Sequence, residues 1–296
     1  YTLLSPDQQI TAARISTLYQ LKQRDTDYIM VTSIEALLRK VMPSTLLTRV
    51  SEYLMAEEEC DQDGLLVNLV NLGYEKVALT QSVGDFSVRG GIIDIFPPSF
   101  LLDSGELHEG PLRLDFFGDI IESLRSYDPF SQRSTREITD ATLLPVTDIL
   151  LDNESTAARS QISQAFQVYG NRYEWDNDET FRIIERVKSG QRFAGMEFFL
   201  PLFYKGLEPT SSSVLDFLAE NTTLIFIDPE SIFQSLDITL ERIETNYQVA
   251  LRDKRPALDP SELFVDREKL TTRMDSFHQL LFTDFPSDKT ETITVS

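Results

Sequence analysis

Two arginines, a carboxylate and a phenylalanine stand where strand alternation turns them away from a core. In PLRLDFF, residues 111–117, a period of two puts Leu112, Leu114 and Phe116 on one face. The opposite face carries Arg113, Asp115 and Phe117. In DFSVRGG, residues 85–91, the same rule buries Phe86 and Val88 and turns out Asp85, Ser87 and Arg89. Guanidinium groups pair with carboxylates, and an aromatic ring beside them offers apolar area. The chemistry this predicts is non-covalent protein recognition. On spacing alone a solvated sheet face with one stray phenylalanine fits equally well.

Other residue patterns that carry chemistry are few. No G-x-x-x-x-G-K-[ST] run occurs, so nothing in the sequence predicts a backbone cradle for nucleotide phosphates. TLIFI, residues 223–227, ends in Asp228 and resembles a Walker B strand, whose aspartate holds magnesium. The next residue is Pro229, and Glu230 follows one position later. An apolar strand ending in aspartate is common in α/β proteins, so a structural role for Asp228 and Glu230 is favoured. His108 and His278 have no His or Cys at ligand spacing, which leaves a zinc site little support. Both histidines are expected at the surface. No nucleophile-elbow pattern appears. The acidic residues Glu57–Glu59 read as a solvated turn, and Trp175 as a packing anchor for a polar loop. No catalytic residue and no metal ligand are assigned.

Composition narrows the partners. Across 296 residues, 48 acidic and 27 basic side chains give a net charge of -21. Such a surface repels phosphate backbones and favours a partner with a basic patch. The single cysteine, Cys60, excludes an internal disulfide and fits a reducing cytosol, so a cytoplasmic location is expected. No apolar run approaches the ~18 residues of a membrane span. The sequence opens at Tyr1 in what already reads as structured chain, as an excised piece of a longer protein would.

The elements that must position these residues fall into three blocks. Ser5-Pro6-Asp7-Gln8 starts a helix carrying Ile10, Ala13, Leu18 and Leu21. DYIMV, residues 27–31, reads as a short buried strand. Thr32 with Glu35 reads as a capping box opening a helix through Leu37, Leu38 and Val41 toward Pro43. From residue 57 the texture changes: an acidic run, a short helix through Leu65 and Leu69 with Gly73 after its end, then strands between glycine turns. Short spacing there predicts an antiparallel meander with a polar, mobile loop over 97–110. After Pro145 helices return, through Ile162, Phe166 and Tyr169 to a stop at Gly170, then through Phe181, Ile184 and Val187. TLIFI reads as a buried strand, followed by a long helix through Ile232, Leu236, Leu240 and Ile243. An α/β domain interrupted by an inserted domain at 57–148 is the simplest layout, with 286–296 as a linker.

At residues 73–134 the motifs become specific. GYEKV, DFSVRGGIIDIFPP, LRLDFFGDIIESLRSYDP and SQRS resemble the N-terminal module of bacterial transcription-repair coupling factors, itself similar to the excinuclease subunit UvrB. RISTLYQL at 14–21, AGMEFFLPLF at 194–203 and SSVLDFLAENTTLIFID at 212–228 extend the resemblance over nearly the whole chain. It implies an α/β, UvrB-like degenerate helicase-type domain (1a and 1b) with an inserted α+β domain 2 containing an antiparallel sheet. The boundaries expected are 1–56 for the C-terminal part of domain 1a, 57–148 for domain 2, 149–285 for the 1b-like segment and 286–296 for the linker. Domain 2 of the family binds UvrA. Carried over by motif, the contacts are Arg89, Arg113 and Phe117, with Asp115 and Glu122 as weaker candidates. Asp228 and Glu230 stand at a degenerate Walker B position. The resemblance further implies that this piece is not an enzyme and holds no cofactor. In the family ATP and Mg2+ serve a C-terminal DNA-translocating motor, and other parts bind RNA polymerase and DNA. A C-terminal domain covers the UvrA-binding surface at rest. A UvrB-type fragment that binds nucleotide or damaged DNA is the alternative.

Overall fold

The computed structural model describes residues 7–23, 27–47, 49–102, 104–152, 155–207 and 211–283. The helix start expected at Ser5-Pro6 and the linker at 286–296 lie outside these residues. The first helix, α1, runs over Gln8–Gln23, with the Asp7 carboxylate accepting the amide of Gln9. Short helices α2 (Ile34–Leu38) and α3 (Ser44–Leu47) follow. Next come β1 (Glu52–Met55), α4 (Gln62–Asn71) and β2 (Glu75–Lys76). The strand-rich block contains β3 (Asp85–Arg89), β4 (Ile92–Ile95), β5 (Phe100–Leu101), β6 (Leu107–His108) and β7 (Leu112–Phe117). It continues with β8 (Ile120–Tyr127), β9 (Ser134–Ile138) and β10 (Asp140–Leu143). The last block holds α5 (Thr156–Arg172), α6 (Asn177–Lys188), α7 (Leu200–Phe203), β11 (Thr223–Ile227) and α8 (Pro229–Arg252). It closes with α9 (Pro260–Leu263), α10 (Arg267–Asp275) and β12 (His278–Phe282).

Among the described residues three sheets form. Six strands take the order β2-β3-β4-β7-β8-β9, four take β1-β10-β5-β6, and β11 pairs with β12 in parallel. Within the six-stranded sheet the neighbours from β3 to β9 are antiparallel, and only β2 joins in parallel. Both larger sheets and α4 share one core, with Leu54, Leu65, Leu69, Phe86, Phe100, Leu114, Leu124 and Leu143 buried in it. A second core gathers Ile15, Leu18, Met42, Phe166, Phe199, Phe217, Leu236 and Leu270. Trp175 is buried there against Phe199. The two cores meet along α1, whose Ala12 packs into the first and Ile15 and Leu18 into the second. Arg14 of α1 pairs with buried Asp148, and Ser16 hydrogen-bonds Ser99.

Several local expectations are corrected. DYIMV keeps its alternation, with Tyr28 and Met30 toward the core, but forms no strand among the described residues, and Ile29 and Val31 are exposed. Among the described residues no strand pairs with it. Among the described residues β11 pairs only with β12, and nothing covers one face of it: Ile225 and Ile227 are exposed and only Phe226 is buried. The cap of α2 is Ser33 rather than Thr32, and Glu35 instead accepts the hydroxyl of Ser235 on α8. Gly170 does not end α5; it lies inside the helix, where a Cβ would come within 2.9 Å of Thr180 Cγ2 on α6. Close packing of the two helices, not termination, explains that glycine. The loop over 97–110 folds back as β5 and β6, with Phe100 and Leu101 buried. His108 stacks on Phe100 at 5.6 Å and is largely covered rather than at the surface.

Candidate protein-docking site

Strand pairing aligns the predicted residues in rows across one sheet face. Ser87, Asp94, Arg113 and Arg125 are opposite one another on β3, β4, β7 and β8. Two residues further along, Arg89, Ile92, Asp115 and Ser123 form the next row. Directly paired residues of antiparallel strands project to the same side, so both rows share a face. The two-residue connection Gly90-Gly91 sets the register of β3 on β4, with Gly90 at φ 61°.

The register shifts between Asp115 and Phe116, so that Asp115 pairs with Ser123 but Phe116 pairs with Ile121. Glu122 is the extra residue of this bulge and is exposed. A bulge bends its strand and raises the local twist, which re-aims the hairpin end. Gly118, at φ 60°, makes the turn. Phe117 and its cross-strand partner Ile120 stand at this tip, Phe117 78% exposed. Beside it runs the acidic segment expected as a solvated turn. Its carboxylates are exposed, but its backbone is paired: the amide of Glu57 donates to Ile121 O at 2.7 Å and that of Cys60 to Asp119 O at 2.7 Å, while Ile121 donates to Glu58 O at 3.1 Å.

The charges on the face are arranged in pairs. Asp94 is buried and takes both predicted arginines. Arg113 Nε donates to Oδ1 at 2.6 Å and its Nη2 to Oδ2 at 2.9 Å, while Arg89 Nη2 donates to Oδ2 at 2.5 Å. Arg113 Nη1 donates to the Gln132 carbonyl at 3.1 Å, and the guanidinium lies 4.6 Å from the ring centroid of Tyr127. These partners leave the Arg113 side chain only 13% exposed, against 45% for Arg89. The Asp94 hydrogen bonds raise the pKa of Arg113 above its usual value, and burial pushes the Tyr127 phenol up to about 12. Asp115 pairs with Arg125 at 2.7 Å and accepts the Ser123 hydroxyl at 2.9 Å.

All five predicted docking residues thus occur on this face or its tip. Arg89 and Phe117 are open to solvent, whereas Arg113 and Asp115 are engaged within the sheet. Ser87 was expected outward and lies on the outward face, yet it is buried. Thr80, from the segment before β3, covers it, with its hydroxyl 3.0 Å from Ser87 Oγ. Sequence reading missed Asp94, Arg125 and Ile120. The signal for Asp94 was present: a lone carboxylate within the apolar run IIDI, brought opposite Ser87 by the Gly90-Gly91 connection.

The other candidate pair is placed differently. Asp228, at φ 57°, caps α8: its carboxylate accepts the Ser231 amide at 3.4 Å and the Ser231 hydroxyl at 2.5 Å. Glu230 lies in the first turn of that helix and is exposed. Among the described residues no three His, Cys, Asp or Glu side chains are grouped to hold a metal. No described helix is long and apolar enough to cross a membrane.

Residues 53–148 match the UvrB interaction domain. Over 281 residues, 95% of the chain, it is 31% identical to the transcription-repair-coupling factor of Myxococcus xanthus. It is 27% identical to that of Escherichia coli over 94% of the chain, and 25% identical to that of Bacillus subtilis over 88%. In each case the match spans 22% of the relative's length.

Proposed function

We propose that this chain, which belongs through residues 53–148 to the UvrB interaction domain family and is related over nearly its whole length to transcription-repair coupling factors, is an adaptor that binds UvrA. The observation that carries the reading is Phe117, held exposed at a bulged hairpin tip on the same sheet as the partly exposed guanidinium of Arg89. An aromatic and an arginine on a rigid sheet cost little entropy to present and form the usual centre of a binding hot spot. Asp115 and Glu122 lie around this pair, and Arg113 supports it from a largely covered position within the sheet. Residues 57–148 act as the inserted UvrA-binding unit, between a domain 1a part at 1–56 and a 1b-like part at 149–285.

In the longer protein, UvrA would be brought in this way to a stalled RNA polymerase. Polymerase binding and ATP- and Mg2+-dependent DNA translocation belong to other parts of that protein, as does a C-terminal domain that covers this face at rest. The setting is the bacterial cytoplasm. The chain itself acts by binding, without cofactor or catalysis. A UvrB-type role in nucleotide or damaged-DNA binding has less support, since Asp228 is committed to its helix cap and the net charge of -21 opposes phosphate.

The test is the affinity of purified UvrA for the wild-type chain and for Phe117→Ala. The substitution is expected to weaken binding by about 2 kcal/mol or more. Equal affinity for both would refute the assignment of the face.

A further inference from the structure

Asp94 has no exposed surface to offer a partner, yet it is the one carboxylate shared by both arginines of the docking face. It lies on β4 between β3 and β7, with no exposed surface. Burying an aspartate there is unfavourable unless guanidinium groups compensate it, and removing one partner is more harmful than never having had the pair. The two arginines meet this carboxylate unequally. Arg113 gives it Nε and Nη2, spends Nη1 on Gln132 and places its Cζ over the Tyr127 ring. Arg89 gives it only Nη2 and is far more exposed. A guanidinium has five N–H donors, and the Arg89 side chain, which gives one of them to Asp94, is 45% exposed.

We infer that Asp94 is a positioning residue of the docking face: with Arg113 as a fixed strut, it holds Arg89 so that one guanidinium edge faces the partner. The partner then supplies a carboxylate to Arg89 next to an apolar cleft for Phe117. This deepens the UvrA reading and rests on it. Holding a guanidinium in place removes ordering entropy that binding would otherwise cost, so a residue that never touches the partner controls affinity through one that does.

The experiment is a double-mutant cycle, with purified UvrA titrated calorimetrically against wild type, Phe117→Ala, Arg89→Ala, Asp94→Asn and Arg89→Ala/Asp94→Asn. Near-UV circular dichroism confirms that each variant is folded. Phe117→Ala and Arg89→Ala are each expected to weaken binding by about 10-fold or more. Asp94→Asn alone is expected to cost about 5- to 10-fold although both arginines remain, and about 2-fold or less once Arg89 is already alanine. Losses that multiply, or wild-type affinity for Asp94→Asn, would overturn the inference while leaving the UvrA reading standing. Wild-type affinity for both Phe117→Ala and Arg89→Ala would overturn the two together. Should asparagine at 94 prevent folding, Arg113→Lys enters the same cycle. A loss that vanishes in the Arg89→Ala background supports the strut, and a loss that persists shows direct contact by Arg113 and refutes it.

Discussion

Phe117 and Arg113 lie four residues apart on one strand face and answer to different physics. Removing the Phe117 ring takes away exposed apolar area and leaves the core untouched, so folding stability should stay within about 0.5 kcal/mol of wild type. Arg113→Ala instead leaves a buried carboxylate with only Arg89 to compensate it. It should lower folding stability by roughly 3 kcal/mol, read as a shift of the urea midpoint at unchanged m value. An unchanged midpoint would mean that Arg89 alone compensates the Asp94 carboxylate. A binding defect in Arg113→Ala therefore has to be corrected for the folded fraction before it is assigned to contact. Alternation in PLRLDFF was enough to place Arg113, Asp115 and Phe117 on one side. It could not show that Arg113 is covered, because its partners Asp94 and Gln132 are each 19 positions away and Gln132 lies in a separate turn. Nor could it show that Ser87 is buried, since the covering residue, Thr80, precedes the strand altogether.

The hairpins β3–β4 and β7–β8 hold the face together where their ends meet. Gly91 O accepts the amide of Phe116 at 2.7 Å, and a Cβ added to Gly91 would lie 2.7 Å from Phe116 O. That oxygen is backbone and cannot rotate away, so Gly91→Ala must move the connection that carries Arg89 or the strand that carries Phe117. A loss of about 1–3 kcal/mol in folding stability is expected, with weaker UvrA binding even after correction for unfolded protein. Gly90→Ala has open space around its Cβ but sits at positive φ, so it reports backbone strain without the clash. It should cost less than its neighbour; the reverse order, measured by thermal melting, would mean that strain rather than close approach dominates this turn. Elements with local signals were legible in the sequence: the glycine-punctuated antiparallel strands, α4 with Gly73 beyond its end, and α8 as the long helix after TLIFI. Strand identity at 27–31 and the burial of β11 were not. Both depend on neighbouring strands, and apolar alternation records only that a face exists, not that something covers it.

At the scale of the molecule, α1 decides whether the docking face has a fixed orientation. Its side chains enter both hydrophobic cores, and Arg14 carries an ion pair from this helix to Asp148 at the end of the sheet-rich unit. Asp148 is buried, and Tyr204 from the helical unit donates its hydroxyl to the Asp148 carbonyl at 2.6 Å. The junction is thus a polar lock set between two apolar cores. A lock of this kind adds less to total stability than to the cooperativity between the parts it joins. In the wild-type chain the slowest amides of β7 and β8 and those of α5 and α6 should exchange with the same opening free energy, because α1 cannot leave one core without disturbing the other. Arg14→Ala leaves Asp148 with Arg39 as a more distant cation and unties the polar contact. The amides of the six-stranded sheet should then exchange through a partial opening at least about 1 kcal/mol below that of the helical unit. Equal acceleration in both units would show that Arg14 supports global stability alone. Acceleration confined to the sheet would show that this ion pair, beside the α1 side chains packed in both cores and the Ser16–Ser99 hydrogen bond, couples the opening of the unit bearing Arg89 and Phe117 to that of the helical unit.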